Sequence, residues 1–193
     1  MKKITFISLL FLVSIISNAQ QIIAVEDLNQ YLEINGRVPN NSHIKDVNNI
    51  FSKYLGTWKT TYNNKTYSFI ITKKTSTFES LNIKTDKLEI EYIITETSSG
   101  VIVEDSSQIV DSSIFGTGFN KITGGIIDYE FYFSGNNSKC GNRGTLHSRY
   151  INPTQISLSL YISGDLTPSD CGTYTPANEA IYPLTRGFIL TKQ

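Results

Sequence analysis

The two histidines of this chain, His43 and His147, are its first candidates for acid–base or metal chemistry. A zinc site needs three or four ligands, and neither histidine has a second His or a Cys at ligand spacing. His147 lies two residues from Arg149 on the polar face of a predicted strand, and His43 precedes a predicted helix. We therefore expect a hydrogen-bonded surface role for His147, a role near a helix cap for His43, and no metal or cofactor.

The carboxylates are numerous but dispersed. Paired acids for glycoside hydrolysis lie about 5–10 Å apart in space, and the sequence brings no pair together. Glu89 and Glu91 share the outward face of a predicted strand. No calcium loop, Gly-x-Ser-x-Gly motif or Walker loop is present. No catalytic residue is expected, although a secreted hydrolase built on His147 and a nearby acid stays open. The other acids considered are Glu104, Asp105, Asp111, Asp165 and Asp170.

Cys140 and Cys171 are the only cysteines. An oxidising compartment favours their pairing, and the alternative is two buried thiols. Residues 144–151 and 156–162 predict a hairpin, and a three-residue loop places Tyr150 opposite Leu158. Extending that register brings Cys140 near Cys171, so we expect a disulfide at the open end of the hairpin.

The N-terminus has the three parts of a secretory signal. Lys2 and Lys3 precede an apolar run over residues 4–16, and Ser17-Asn18-Ala19 is a small-x-small cleavage site. Cleavage after Ala19 would remove two of the 17 basic residues and none of the 17 acidic ones, for a net charge of −2. We expect a periplasmic or extracellular protein with a lead-in over residues 20–43 and one domain over residues 44–193.

The remaining chain predicts one short helix followed by many strands. Residues 44–55 place Ile44, Val47, Phe51 and Tyr54 near helical spacing, with Ser42 as a cap and Gly56 as a stop. A helical turn or two is also predicted over residues 25–32. Beyond residue 56, apolar and polar residues alternate in segment after segment, as in residues 88–94 and 127–133.

This pattern predicts a mainly β fold, a single antiparallel up-and-down barrel of about eight to ten strands, because closure removes the exposed sheet edges. A two-sheet β-sandwich is the alternative. The aromatic faces of the strands would line a cavity or fill it, and the pattern leaves both open. These candidate lining residues are Tyr62, Phe69, Tyr92, Tyr129, Phe131 and Tyr150.

Two resemblances follow from the start of the first strand. Gly56-Thr57-Trp58 after a short helix resembles the opening of lipocalin-like barrels. That resemblance implies that Trp58 closes one barrel end against an arginine near the last strand, for which Arg186 is the candidate. The longer run over residues 45–59, Lys-Asp-x-x-Asn through Gly-Thr-Trp-Lys, is similar to a family of small secreted bacterial proteins of unknown function. It implies export and a β-rich fold.

Three functions remain as hypotheses. The leading one is a non-enzymatic, exported lipocalin-like barrel that binds a small apolar or amphipathic ligand. The alternatives are a cell-envelope structural or interaction module with a filled barrel and an exposed apolar or aromatic patch, and a secreted hydrolase. The expected partners are a small lipophilic ligand or a cell-surface molecule. No Lys/Arg cluster indicates nucleic acid, and no transmembrane segment is expected after cleavage.

Overall fold

The structure is a computed structural model that describes residues 20–109, 113–121, 127–163 and 171–193. The predicted signal peptide, residues 1–19, lies outside the described residues, as do Asp111, Asp165 and Asp170. No helix within the described ranges has the length and apolar composition needed to cross a membrane.

The described chain contains one α-helix, α1 (Leu28–Asn35), and eleven strands. The strands are β1 (Gln21–Ala24), β2 (Ser42–Lys45), β3 (Gly56–Tyr62), β4 (Lys65–Phe78), β5 (Ile83–Glu96), β6 (Ile102–Asp105), β7 (Ser113–Lys121), β8 (Ile127–Ser134), β9 (Arg143–Asn152), β10 (Gln155–Ile162) and β11 (Phe188–Lys192).

Eight strands form a closed antiparallel barrel in which every barrel strand pairs with the next one along the chain. The order is β3, β4, β5, β7, β8, β9, β10 and β11. The last strand closes onto the first where Lys192 pairs with Trp58. Between β5 and β7 the register contains the single pair Glu89 and Phe115, and β6 pairs with β5 further along. The barrel prediction is confirmed over the sandwich.

The helix predicted over residues 44–55 is wrong. Ser42 begins β2, which extends the sheet between β1 and β5 in parallel, and only Ile50–Lys53 form a 3-10 turn. Asn49 adopts a left-handed φ of 53°, which a helix does not accommodate. The Asp46 carboxylate instead accepts a hydrogen bond from the Ile50 amide at 2.7 Å. Val47 of the predicted apolar face is 49% exposed, and the other three residues are buried through separate contacts rather than along one helical face.

The α-helix of the protein lies earlier, in the lead-in, where a helical turn or two was predicted. α1 ends at Gly36, whose left-handed φ of 73° lets its amide donate to the Leu32 carbonyl at 2.8 Å. Glycine reaches this conformation without steric cost, which explains the stop.

The predicted hairpin of β9 and β10 is confirmed, but its register is wrong by two residues. Tyr150 lies opposite Ile156 rather than Leu158. The turn has two residues instead of three, since Asn152 pairs with Gln155, and a bulge follows. The Asn152 side chain stabilises the shorter turn by accepting from the Thr154 amide at 2.9 Å. A shift of two residues keeps each side chain on its predicted face.

Candidate functional site

The interior of the barrel is packed with side chains. Phe69, Tyr92 and Phe131 have exposed fractions of 0% and Tyr129 of 2%, whereas Tyr62 is partly buried. A ring beside a water-sized cavity would retain accessible surface, so these values indicate a filled interior.

The interior rings contact one another directly. The ring centres of Tyr129 and Phe131 are 4.9 Å apart, and those of Phe69 and Tyr92 are 6.2 Å apart. The Tyr129 hydroxyl accepts a hydrogen bond from the Leu88 amide at 3.2 Å. The sixth candidate lining residue, Tyr150, is partly buried against the same core. Phe69, Tyr92, Tyr129 and Phe131 therefore belong to the core, and Tyr62 and Tyr150 pack against it.

Trp58 lies at the seam where β11 closes onto β3. Its indole is fully buried, and its Nε1 donates to the Tyr54 carbonyl at 2.7 Å. The Lys192 ammonium lies 5.1 Å from the centre of the indole ring, within cation–π distance. Gly56 has a φ of 119°, and a Cβ there would lie 3.2 Å from Lys192 Cε. The absence of a side chain at Gly56 thus leaves room for the Lys192 side chain where β11 meets β3.

The contact predicted between Arg186 and Trp58 is replaced by another. Arg186 lies over Tyr62 at 6.0 Å and donates to its hydroxyl at 3.0 Å. Arg186 ends a 3-10 helix before β11, at the opposite end of the barrel from the indole. Because β11 runs antiparallel to β3, its end rather than its start reaches Trp58, and Lys192 provides the cation there.

A polar cluster joins β2, β4 and β5 near the tryptophan end. Lys73 lies 3.1 Å from Asp46 and 3.5 Å from Asp86, and both carboxylates are buried. His43, within β2 rather than at a helix cap, lies 3.0 Å from Asp86. Thr75 donates to the same carboxylate at 2.8 Å. Every carboxylate oxygen has a partner, so the cluster fastens β2 to the barrel.

A segment with two 3-10 helices, Pro176–Asn178 and Tyr182–Arg186, covers the other barrel end. Cys140 and Cys171 form a disulfide at its start, with Cα atoms 5.6 Å apart, which confirms the predicted pairing. Ile181 and Leu184 of this segment are fully buried. This segment, which we call the cover, is therefore part of the hydrophobic core.

Glu104 of β6 holds the same cover in place. Its carboxylate accepts a hydrogen bond from the Tyr92 hydroxyl. Burial raises the pKa of Glu104, the nearby charge of Glu179 raises it further, and the nearby Ala180 amide of the cover lowers it. The Glu104 carboxylate therefore has a structural hydrogen bond rather than the free position that a general acid or base of a hydrolase needs.

The outer surface carries a different group of rings. Phe115, Tyr132 and Tyr161 lie in one line across β7, β8, β9 and β10, with Thr145 between the two tyrosines. Tyr161 is 61% exposed and Tyr132 39%. The rings of Phe115 and Tyr132 are 5.3 Å apart at their centres. We call these three residues the outer aromatic row.

A second line of side chains runs beside the first. This line pairs Glu130, His147 and Ser159 across β8, β9 and β10. Each lies two residues along its strand from Tyr132, Thr145 or Tyr161, and we call the three the polar row. His147 Nδ1 lies 3.5 Å from Glu130, and the imidazole packs edge-on against Tyr161 at 4.8 Å. The expected hydrogen-bonded surface role of His147 therefore fits its position.

A cavity of about 280 Å³ lies at the Phe115 end of the outer aromatic row. It occupies the seam between β5 and β7, where the barrel register contains one pair. Its lining combines carboxylates, serine hydroxyls and apolar side chains. It is lined by Glu89, Ile90, Glu91, Ser106, Ser107, Ile109, Ser113, Ile114 and Phe115.

Sequence reasoning missed this outer surface because it followed the aromatic faces that alternate inward. One signal was present: Tyr132 falls on the same face of its strand as Asp128 and Glu130. Tyr161 likewise shares a face with Ser157 and Ser159. An aromatic residue on the polar face of an alternating strand is a candidate surface contact. Among the described residues, no group of three or more His, Cys, Asp or Glu is placed to hold a metal.

Comparison with known proteins gives a family and no activity. No curated protein is significantly similar to the chain. The same is true of the solved structures. A family model described as a family of unknown function, DUF6705, matches residues 1–193. Since that match spans the whole sequence, the chain belongs to this family of unknown function.

Proposed function

We propose that the protein is an exported, non-enzymatic binding module of lipocalin-like form that recognises its partner with the outer aromatic row. The observation that carries this proposal is the contrast between two sets of rings. Those inside the barrel are buried against one another, whereas Tyr161 is 61% exposed on the outer face. An exposed aromatic patch on a filled barrel favours surface recognition over an internal ligand.

The lipocalin-like form is part of the proposal. It is supported by Gly56-Thr57-Trp58 at the start of the first barrel strand and by the buried indole at the seam. The filled interior separates this protein from a barrel that carries a ligand inside. We therefore favour the interaction module over an internal carrier of lipophilic molecules.

Export is supported by the signal-like residues 1–19 and by the disulfide between Cys140 and Cys171. The intact mass of the protein from producing cells tests it. We expect a chain that begins at Gln20 and contains one disulfide. A chain that retains residues 1–19 and two free thiols would contradict export.

Co-sedimentation with envelope material from the producing cells tests the binding function. The purified protein should sediment with that material, and Tyr161→Ala should stay in the supernatant. Phe78→Ala is the matched control, because Phe78 is 62% exposed but lies at the tip of the hairpin of β4 and β5. Equal sedimentation of both variants and the wild type would contradict recognition by the outer aromatic row.

Native mass spectrometry of the same preparation tests the rival internal ligand. We expect the mass of the chain alone. A stoichiometric small molecule that stays bound to Tyr161→Ala would place the ligand elsewhere and overturn the proposal.

A further inference from the structure

We infer that the outer aromatic row and the polar row together bind an extended, neutral oligosaccharide. This inference rests on the proposed function and names the chemistry of its partner. The face of a sugar ring presents C–H bonds and its edge presents hydroxyl groups. A surface that recognises a sugar chain therefore needs aromatic faces and hydrogen-bonding side chains side by side.

The two tyrosines of the aromatic row meet the first requirement, whereas the Phe115 ring lies under the Lys87 ammonium, 4.9 Å from the ring centre. Phe115, Tyr132 and Tyr161 extend over four neighbouring strands. Strands lie about 4.8 Å apart, so the row is roughly 14 Å long. That length suits a chain of a few sugar units rather than a single monosaccharide. Thr145, between the two tyrosines, places a hydroxyl group at the middle of the row.

The polar row meets the second requirement. Glu130, His147 and Ser159 offer a carboxylate, an imidazole and a hydroxyl along a line parallel to the rings. These groups donate and accept hydrogen bonds, as sugar hydroxyls do. The edge-on contact of His147 with Tyr161 fixes the imidazole beside the exposed ring.

The cavity at the Phe115 end extends the same surface. Ser106, Ser107 and Glu91 contribute polar groups to its wall, and Phe115 contributes a ring. Its volume of about 280 Å³ is close to the lower end of the range of small-molecule sites. We place one end of the bound chain there.

The charges at the site favour a neutral ligand. Glu130 faces His147, and Glu89 lies 2.6 Å from Lys74 and 3.4 Å from Lys87. Burial alone would raise the pKa of Glu89, but the hydrogen bond and charge of Lys74 and then of Lys87 lower it.

These ion pairs leave neither a cationic stripe for nucleic acid nor an anionic one for a basic peptide. Across the row, polar side chains adjoin every ring. A protein partner usually buries a core depleted of charged side chains.

Chemical treatment of the envelope material tests the partner class in the same sedimentation assay. Periodate cleaves the vicinal diols of sugars, and a protease digests polypeptides. We expect periodate to abolish sedimentation of the wild-type protein and protease treatment to leave it unchanged. Binding that resists periodate and is lost to protease would overturn the oligosaccharide and leave the proposed function standing. Absence of binding to untreated envelope would overturn both.

Affinity electrophoresis through gels that contain a neutral glucan, xylan or mannan identifies the sugar chemistry. At least one gel should retard the wild type, and Tyr132→Ala or Tyr161→Ala should weaken that affinity about two- to tenfold, the loss expected from one stacking contact. Tyr161→Phe retains the ring and should bind like the wild type, as should Phe78→Ala. Retardation only by anionic polygalacturonate, or equal retardation of every variant, would overturn the inference.

Discussion

Lys192 and Trp58 are cross-strand partners at the seam where the last strand of the barrel closes onto the first. The lysine ammonium lies 5.1 Å from the centre of the indole ring, and the indole itself is fully buried. One buried aromatic side chain and one cation thus pack against each other at the seam of the barrel.

Removal of the indole should therefore remove most of the free energy that stabilises this end of the barrel. We expect Trp58→Ala to lower the free energy of unfolding by about 3–5 kcal/mol, the usual cost of deleting a buried Trp. Lys192→Ala should cost about 0.5–2 kcal/mol through loss of the cation–π contact. Urea unfolding followed by circular dichroism measures both. Lys84→Ala, at an exposed lysine of β5, is the control. A cost below 1 kcal/mol for Trp58→Ala would mean that other side chains stabilise this end.

The disulfide should contribute through the unfolded chain. Cys140 and Cys171 are 31 residues apart, and the loop-entropy relation gives about 3–4 kcal/mol for a loop of that length. We expect the double variant Cys140→Ser/Cys171→Ser to lose this amount in urea unfolding. Thiol titration of the denatured wild type should find free thiols only after reduction. Equal stability of the oxidised and reduced protein would contradict the prediction.

Asp86 should make the protein sensitive to acid. Burial alone would raise its pKa, but hydrogen bonds from His43, Thr75 and the Asp46 amide, with the charge of Lys73, lower it from 3.8 to about 2. The unfolded chain therefore takes up this proton before the folded one does. The stabilisation is complete above pH 4 and is lost as the pH falls towards 2, with a total of about 1–2 kcal/mol.

Urea unfolding between pH 5 and pH 2 tests this dependence. Asp86→Asn should flatten the loss of stability over that range. Asp27→Asn, at an exposed carboxylate, should retain the wild-type slope. If the two variants have the same slope, Asp86 is not the group that titrates.

Glu104 should have the opposite effect on stability. Burial first, and then the charge of Glu179, raise its pKa, so its ionised form is less stable in the fold than in the unfolded chain. The contribution of Glu104 to the free energy of unfolding is favourable at low pH and is lost as the pH rises through its folded-state pKa. Glu104→Gln keeps an oxygen that accepts from Tyr92 and removes the charge.

We expect the melting temperature of Glu104→Gln at pH 7 to equal or exceed that of the wild type, by thermal unfolding. The difference should shrink below pH 4, where the wild-type carboxyl is protonated as well. A lower melting temperature at pH 7 would show that the charge itself holds the cover on the barrel.

Local patterns were sufficient to find most of the barrel strands, but not residues 116–121 of β7. Alternation in a strand depends on neighbours two residues apart, so the sequence indicates which side chains of residues 88–94 point inward. The same locality misled at residues 44–55, where Ile44, Phe51 and Tyr54 are all buried without a shared helix. Burial at helical spacing arises there from separate contacts of β2 and of the 3-10 turn with the barrel.

By itself the sequence determined the mainly β fold and the burial of Trp58, because both depend on residue type and short-range spacing, and it limited the disulfide to its two cysteines, Cys140 and Cys171. Only the tertiary structure decided that Lys192 covers the indole, that the rings inside fill the barrel, and that Tyr132 and Tyr161 lie in one exposed row. Those features depend on strand register and barrel closure, which bring together residues distant in the chain and are set by packing of the whole sheet.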